Sequence, residues 1–452
     1  MKEVQERYQY VVAAVLLVIL ALVIPKSVVG LGVTGILALL AIWRPKDMIL
    51  SLLLYFPMRS FLIEINPSLK LAGDLIILAA FLRVVWDYRN NWKELFRFRL
   101  FEWGFFAFLA IGSISALITG VSIAAIIFQL RAFVITYIAY YVVSRLNITK
   151  QDVIRFLWIT LWTALILSIQ GIVEKVSQRT LLMPESWVYR SLSPNNRSRI
   201  YGLINNPNML ALFLSFAFFC TLYLRGLVKG KVKWFVTFAL ILMMGVWTLT
   251  YSRGTMIGFG LAFLFYLVLT RNWKRMIQTA VILISAFVLV NMPVSALTRY
   301  MAENHEVELP QPPSDVELDE EDEEEKESFE KKRLKETFEQ STIELSRQTG
   351  RLFIVEKGFE IFKDHPIVGT GFATYGDSAT KSYSSPIYDD YDIEFDIYAD
   401  NQYIQVIAQT GILGVITFAI FLLGMMFLLW KNRDRSPFAV VLMSALFGAF
   451  AC

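Results

Sequence analysis

Histidine is almost missing from this chain: His305 and His365 are the only two among 452 residues, which excludes a histidine-rich metal site. Cys220, inside an apolar block, and Cys452, at the last position, are too few for a disulfide framework, and they lack metal-ligand spacing. The sequence has no Gly-x-x-x-x-Gly-Lys phosphate loop, no His-Glu-x-x-His pair and no Gly-x-Ser-x-Gly elbow, so the common phosphate-loop, zinc-protease and serine-hydrolase chemistries have no carrier. Charge is scarce too. Only 18% of residues are charged, against roughly a quarter in an ordinary soluble domain, which excludes a water-soluble fold.

What is there is apolar: 56% of the residues are hydrophobic, gathered into blocks of about 17 to 25, the length that crosses a bilayer. Spans are predicted at residues 10–24, 27–43, 48–63, 69–86, 101–119, 122–143, 153–173, 209–224, 234–251, 255–270, 276–291 and 411–430. The block 438–451 is a short thirteenth, so the C-terminus reads as lacking its natural continuation. The first block follows Lys2 and Arg7 but has no small-residue cleavage site, and it reads as a retained helix, not a signal peptide. The fold class is therefore all-α: a polytopic transmembrane helix bundle of about 12 to 13 spans, with one large loop before the last complete span.

Alternating these spans from a cytoplasmic N-terminus puts every dense basic cluster inside. The clusters are Arg44 and Lys46, Arg83 to Arg99, Arg145 to Arg155, Arg225 to Lys233, Arg271 to Arg275, and Lys431 to Arg435. Two arginine-bearing or large loops fall outside, residues 174–208 and 294–410, so chemistry is expected on the extracytoplasmic face. The domains follow: transmembrane helices over 1–293 with the outer loop 174–208, the large loop over 294–410, and C-terminal helices over 411–452. Within the large loop, 301–347 is charged. Its part 315–325 is almost purely acidic and 326–347 is of mixed charge, a composition that buries no core and reads as solvated spacer. From Arg351 on, Leu352, Val355, Phe359 and Phe362 recur at helical spacing and form an apolar face suited to a membrane surface. The segment 351–410 is therefore read as structured.

Three charges stand where charge is expensive. Arg131 lies near the middle of one predicted span and Asp74 inside another, and a charge at the bilayer centre costs at least ~2.5 kcal/mol on insertion scales. They face a polar cavity or pair with each other. Arg253 sits at the outer end of a hairpin between spans, either snorkelling to the interface or holding an anion. An arginine fork suits phosphate oxygens, so converging arginines at a membrane surface suit a lipid diphosphate headgroup. His305 adjoins the acidic stretch, and His365, before Pro366, reads as a helix-terminal residue.

Three segments together resemble the O-antigen ligase and O-unit polymerase family of bacterial polytopic membrane proteins. They are Arg199-Ile200-Tyr201-Gly202-Leu203-Ile204-Asn205-Asn206-Pro207-Asn208, then Ser252-Arg253-Gly254, then the stretch from Gly350-Arg351 through His365-Pro366-Ile367-Val368-Gly369-Thr370-Gly371 to Asp400-Asn401-Gln402-Tyr403 and Thr410-Gly411-Ile412-Leu413-Gly414. The likeness covers about half the chain, from Arg199 to Trp430. It implies a GT-C-like, metal-independent glycosyltransferase of the bacterial cytoplasmic membrane that needs no cofactor and no nucleotide sugar. The donor would be an undecaprenyl-diphosphate-linked oligosaccharide. The acceptor would be another glycan or a lipid or wall anchor, with membrane lipids as surroundings and no nucleic acid as partner.

By position in these motifs, Arg199, Arg253 and Arg351 are assigned to the departing diphosphate, with Arg131 as a fourth from its charge inside a span; Arg253 and Arg351 form the catalytic set, and Arg199, Arg131, Asn208 and Asn401 the substrate-binding set. Family ligases commonly carry His-Asn where this chain has Asp400-Asn401 and often Glu where it has Gln409. A carboxylate close to the acceptor hydroxyl can take its proton, so Asp400 inherits the role of base. Standing just before a predicted helix, it could equally serve as N-cap. The missing histidine favours polymerisation over ligation. The second half of the large loop is expected to roof a cavity whose floor bears Arg199 and Arg253. Two rival readings stay open, a transporter or flippase of the same lipid-linked glycan and a noncatalytic cell-envelope scaffold. Transporters tend to show internal repeats and midplane sites, and the sequence has no such repeat.

Overall fold

The computed structural model describes residues 2–190, 192, 194–304, 350–394, 397–399 and 401–452. The acidic and mixed-charge stretches, His305 and Asp400 lie outside the described residues. All regular structure among the described residues is helical. In chain order the main helices are α1 (Lys2–Val23), α2 (Ser27–Trp43), α3 (Pro45–Ile65), α4 (Ala72–Asp87), α5 (Leu100–Ile118), α6 (Ile123–Arg145), α7 (Lys150–Val176), α8 (Pro207–Leu227), α9 (Gly230–Leu249), α10 (Arg253–Thr270), α11 (Trp273–Ala286), α12 (Met292–Asn304), α13 (Arg351–Asp364), α14 (Ser378–Tyr383), α15 (Gln402–Lys431) and α16 (Pro437–Phe450). Among the described residues nine helices are long and apolar enough to cross a membrane, and three shorter apolar helices accompany them. The chain is a multi-pass α-helical membrane protein.

Several boundaries differ from those read off hydropathy, each for a local reason. A π-helical turn at Phe287–Asn291 joins α11 to α12, so the helix continues past the expected end of the span at 291. Asn66, Pro67 and a 3-10 turn over Pro67–Leu71 delay the start of α4 to Ala72. Asp74 lies inside that helix, in its first turn, where the helix dipole favours a carboxylate.

The chain divides into two compact units. The first comprises Met1–Asn90, the described part of Ile138–Leu318, and Leu429–Cys452. Its main core gathers Leu167 of α7, Leu214 and Phe218 of α8, Met243 and Val246 of α9, Phe259 of α10 and Val441 of α16. Two of the polar pairs inside are Trp247, whose indole donates to Ser215 Oγ at 2.9 Å, and Asn291, whose Nδ2 donates to Thr248 Oγ1 at 2.8 Å. At the start of α7, Thr149 and Asp152 form a reciprocal cap, and Arg155 pairs with Asp47 of α3.

The second unit comprises Asn91–Tyr137 and the described part of Asp319–Leu428. Its organising feature is a break in α15 at Gly411, whose φ of 57° and ψ of −162° are open only to glycine. An unbroken helix would bond the N–H groups of Ile412 and Leu413 to the carbonyls of Ala408 and Gln409. Instead those N–H groups donate to Pro366 O (2.9 Å) and Ile367 O (3.1 Å), while the two carbonyls accept from Thr370 N (3.2 Å) and Gly371 N (2.7 Å). The segment 366–371 is thus inserted into the helix, main chain for main chain. On its other side Ser115 and Thr119 of α5 donate to the carbonyls of Gly369 (2.5 Å) and Thr370 (2.6 Å). The helix predicted by the spacing of Leu352 to Phe362 is present as α13. It packs Phe353, Ile354, Val355 and Ile361 onto Tyr375 and Ile404 and leaves Leu352 and Phe359 exposed. His365 caps its C-terminus, as expected, donating its N–H to Ile361 O.

Candidate functional site

In the first unit, the C-terminal ends of α7 and α9 and the N-terminal ends of α8 and α10 carry the short motifs. Local sequence explains how. Asn205, in the left-handed region at φ 59°, turns the chain; Asn206 caps α8 by accepting from the N–H groups of Asn208 and Met209; Pro207 needs no N–H donor at the first helical position. With Asn206 doing the capping, the Asn208 side chain is free for tertiary contacts. Its Oδ1 accepts from Arg199 Nη2 at 2.7 Å and from Ser252 Oγ at 2.9 Å. Arg199 Nε also donates to Thr250 O at 2.8 Å. Arg199, Asn208 and Ser252, far apart in sequence, therefore meet at one node.

Ser252 stands at the N-cap position of α10, yet its hydroxyl goes to Asn208 and makes no cap bond to its own helix. Arg253 is the first residue of that helix and is exposed. A cation there opposes the helix dipole by about 0.3–1 kcal/mol, so the position is poor for helix stability and good for binding an anion. Arg351 repeats the pattern in the second unit: it opens α13 behind Gly350, which gives no side-chain cap, and it too is exposed.

Sequence reasoning missed what lies beneath Arg199. Glu174, at the end of α7, is buried and accepts from the backbone N–H groups of Tyr201 (3.1 Å) and Gly202 (2.6 Å). It also pairs with the buried Arg179 at 2.9 Å. Burial is the main influence lowering the Arg179 pKa; Glu174 opposes it, while Arg190 and Arg197 push the same way as burial. These cations therefore share one electrostatic neighbourhood. A charged pair closing an apolar helix, Glu174-Lys175, was the available signal.

The remaining predicted residues belong to the second unit. Arg131 is half-buried along α6. Asn401 Oδ1 accepts from Tyr403 N (2.9 Å) and Ile404 N (3.3 Å), so Asn401 caps the start of α15; both readings of Asp400, base and cap, lie outside the described residues. Gln409 is buried and donates to Asp377 Oδ2 (2.7 Å) and Tyr375 O (2.9 Å). Asp377 also accepts from the N–H groups of Ala373, Ala379 and Thr380. Burial pushes the Asp377 carboxyl up, and those donors pull it back. An amide at 409 supplies to Asp377 a donor that an ionised glutamate could not. Among the described residues no group of three or more His, Cys, Asp or Glu side chains is placed to hold a metal ion.

Comparison with curated proteins and with solved structures finds no match to this chain. A family model does match: residues 238–419, less than half of the chain, match the family described as O-antigen ligase. The matched stretch includes Arg253, Arg351, Asp400, Gln409 and the break at Gly411, while Glu174, Arg199 and Asn208 precede it. Over that stretch this multi-pass membrane protein is similar to the O-antigen ligases.

Proposed function

We propose that the protein is a glycosyltransferase that polymerises or ligates undecaprenyl-diphosphate-linked glycan units at the outer face of the bacterial cytoplasmic membrane, with polymerisation favoured. The observation that carries this reading is the node at the start of α10, where Arg199 and Ser252 share Asn208 next to the exposed Arg253. In the reaction, an acceptor hydroxyl oxygen bonds to the anomeric carbon as the bond from that carbon to the diphosphate oxygen breaks. The hydroxyl proton passes to a base, and the charge gathering on the lipid diphosphate is met by arginine. Arg199 and Arg253 take the diphosphate, Arg351 and Arg131 add to its binding, and Asp400 is the base.

Transport of the same lipid is the rival. A transporter places substrate at a broken helix near the membrane midplane. The backbone groups freed at Gly411 are occupied by residues 366–371, which disfavours a substrate site there. The deciding experiment incubates the purified protein in lipid with an undecaprenyl-diphosphate-linked repeat unit and no nucleotide sugar, and looks for longer glycans. Failure both of chain growth and of transfer to any supplied acceptor would refute the enzyme reading.

A further inference from the structure

We infer that Glu174 is a positioning residue for Arg199, fixing the main chain from which that arginine reaches its partners; this rests on the role proposed above for Arg199. Glu174 is 1% exposed, and burying a carboxylate is unfavourable unless it is paired and hydrogen-bonded. Its partners are on the segment that carries Arg199. The N–H groups of Tyr201 and Gly202 point at its two oxygens, and Gly202 can present its N–H in this way at a φ of 61°. The neighbouring Lys175 donates to Ser198 O on the other side of Arg199. One helix end therefore grips the chain immediately before and after the arginine.

Arg179 completes the clamp. It sits in the left-handed region at φ 69° with its N–H on Glu174 O at 2.8 Å. Its guanidinium pairs with the Glu174 carboxylate and lies 4.3 Å from the centre of the Tyr201 ring. A buried ion pair is a weak source of net stability compared with apolar packing of the same volume. What this pair does supply is direction. With Ser198, Tyr201 and Gly202 fixed, Arg199 is held toward Thr250 O and Asn208 Oδ1 before any ligand arrives, and preorganised charge binds an anion without reordering.

The test uses the full chain in lipid, titrated with undecaprenyl diphosphate and assayed for turnover, for the wild type, Glu174→Ala, Glu174→Gln and Arg199→Ala. The expected result is a KM and a Kd for the lipid diphosphate raised about tenfold or more in the folded fraction of Glu174→Ala, with kcat less affected; thermal stability falls in this variant, because Arg179 is left buried without its carboxylate. Glu174→Gln, which keeps the volume and one acceptor oxygen, should fall in between and also serves if the alanine variant does not fold. Unchanged affinity in both Glu174 variants alongside weakened binding in Arg199→Ala would overturn the positioning role alone. Unchanged affinity in Arg199→Ala would overturn the assignment of Arg199 and this inference with it. Loss of affinity that merely tracks loss of folded protein would make Glu174 structural and also overturn the inference.

Discussion

At Asn208 one amide oxygen serves two donors, Arg199 and Ser252, and the choice of a neutral acceptor matters at a site meant for an anion. Asn208→Asp would pair its charge with Arg199 and repel a diphosphate. Binding of undecaprenyl diphosphate measured by calorimetry should weaken about 10- to 100-fold, roughly 1.4 kcal/mol per factor of ten. Asn208→Leu, which removes the acceptor without adding charge, should weaken it less. Gln409 offers the complementary case, since its neutral amide is needed as a donor to Asp377. Gln409→Glu sets two buried carboxyls side by side and should lower stability by about 1–3 kcal/mol at neutral pH. Because the folded pair then binds a proton more tightly than the unfolded chain, stability should be regained as pH falls and lost as pH rises through the raised pKa. Thermal melts from pH 4 to 8 measure this, and adding Asp377→Asn should restore the melt.

Helix ends carry most of the functional candidates, and their two kinds of work separate by mutation. Asn401 closes the first turn of α15, so Asn401→Ala should cost about 1 kcal/mol of stability, visible as a modest fall in melting temperature. Asp400→Asn should leave the melt unchanged and abolish turnover; near-normal rates would move the base elsewhere. Helical spacing made α13 legible, and the motif order brought Arg199, Asn208 and Ser252 onto one list before their contact was visible. The charged pair Glu174-Lys175 was visible in the sequence but its partners were not, because a hydrogen bond to backbone N–H groups leaves no mark on the residues that donate it. The break at Gly411 was equally hidden. Gly411 follows Gln409 and Thr410 at the very start of the predicted span, where a helix simply beginning was the plainer reading, and the segment that replaces its helical bonds is distant in sequence.

At the scale of the molecule, composition alone was enough for the class, since apolar blocks of spanning length permit little else. Orientation rests on the basic clusters and has a direct test. Tyr189 and Lys229 are exposed and Cys220 is buried, so in a Cys452→Ser background Tyr189→Cys should react with an impermeant maleimide added to spheroplasts. Lys229→Cys should react only after lysis, and the opposite pattern would invert the topology. The insertion of residues 366–371 into α15 has a consequence for how this chain can evolve. A segment recognised through its main chain is indifferent to most of its side chains, and Ile367 and Val368 indeed lie exposed. At Gly371 and Gly411 even a Cβ would meet backbone atoms, of Ala116 at 2.0 Å and of Ile367 at 2.6 Å. A library randomised over these four positions and selected for surface polysaccharide should return varied residues at 367 and 368, and glycine alone at 371 and 411. Drift and invariance would then alternate within a single short motif.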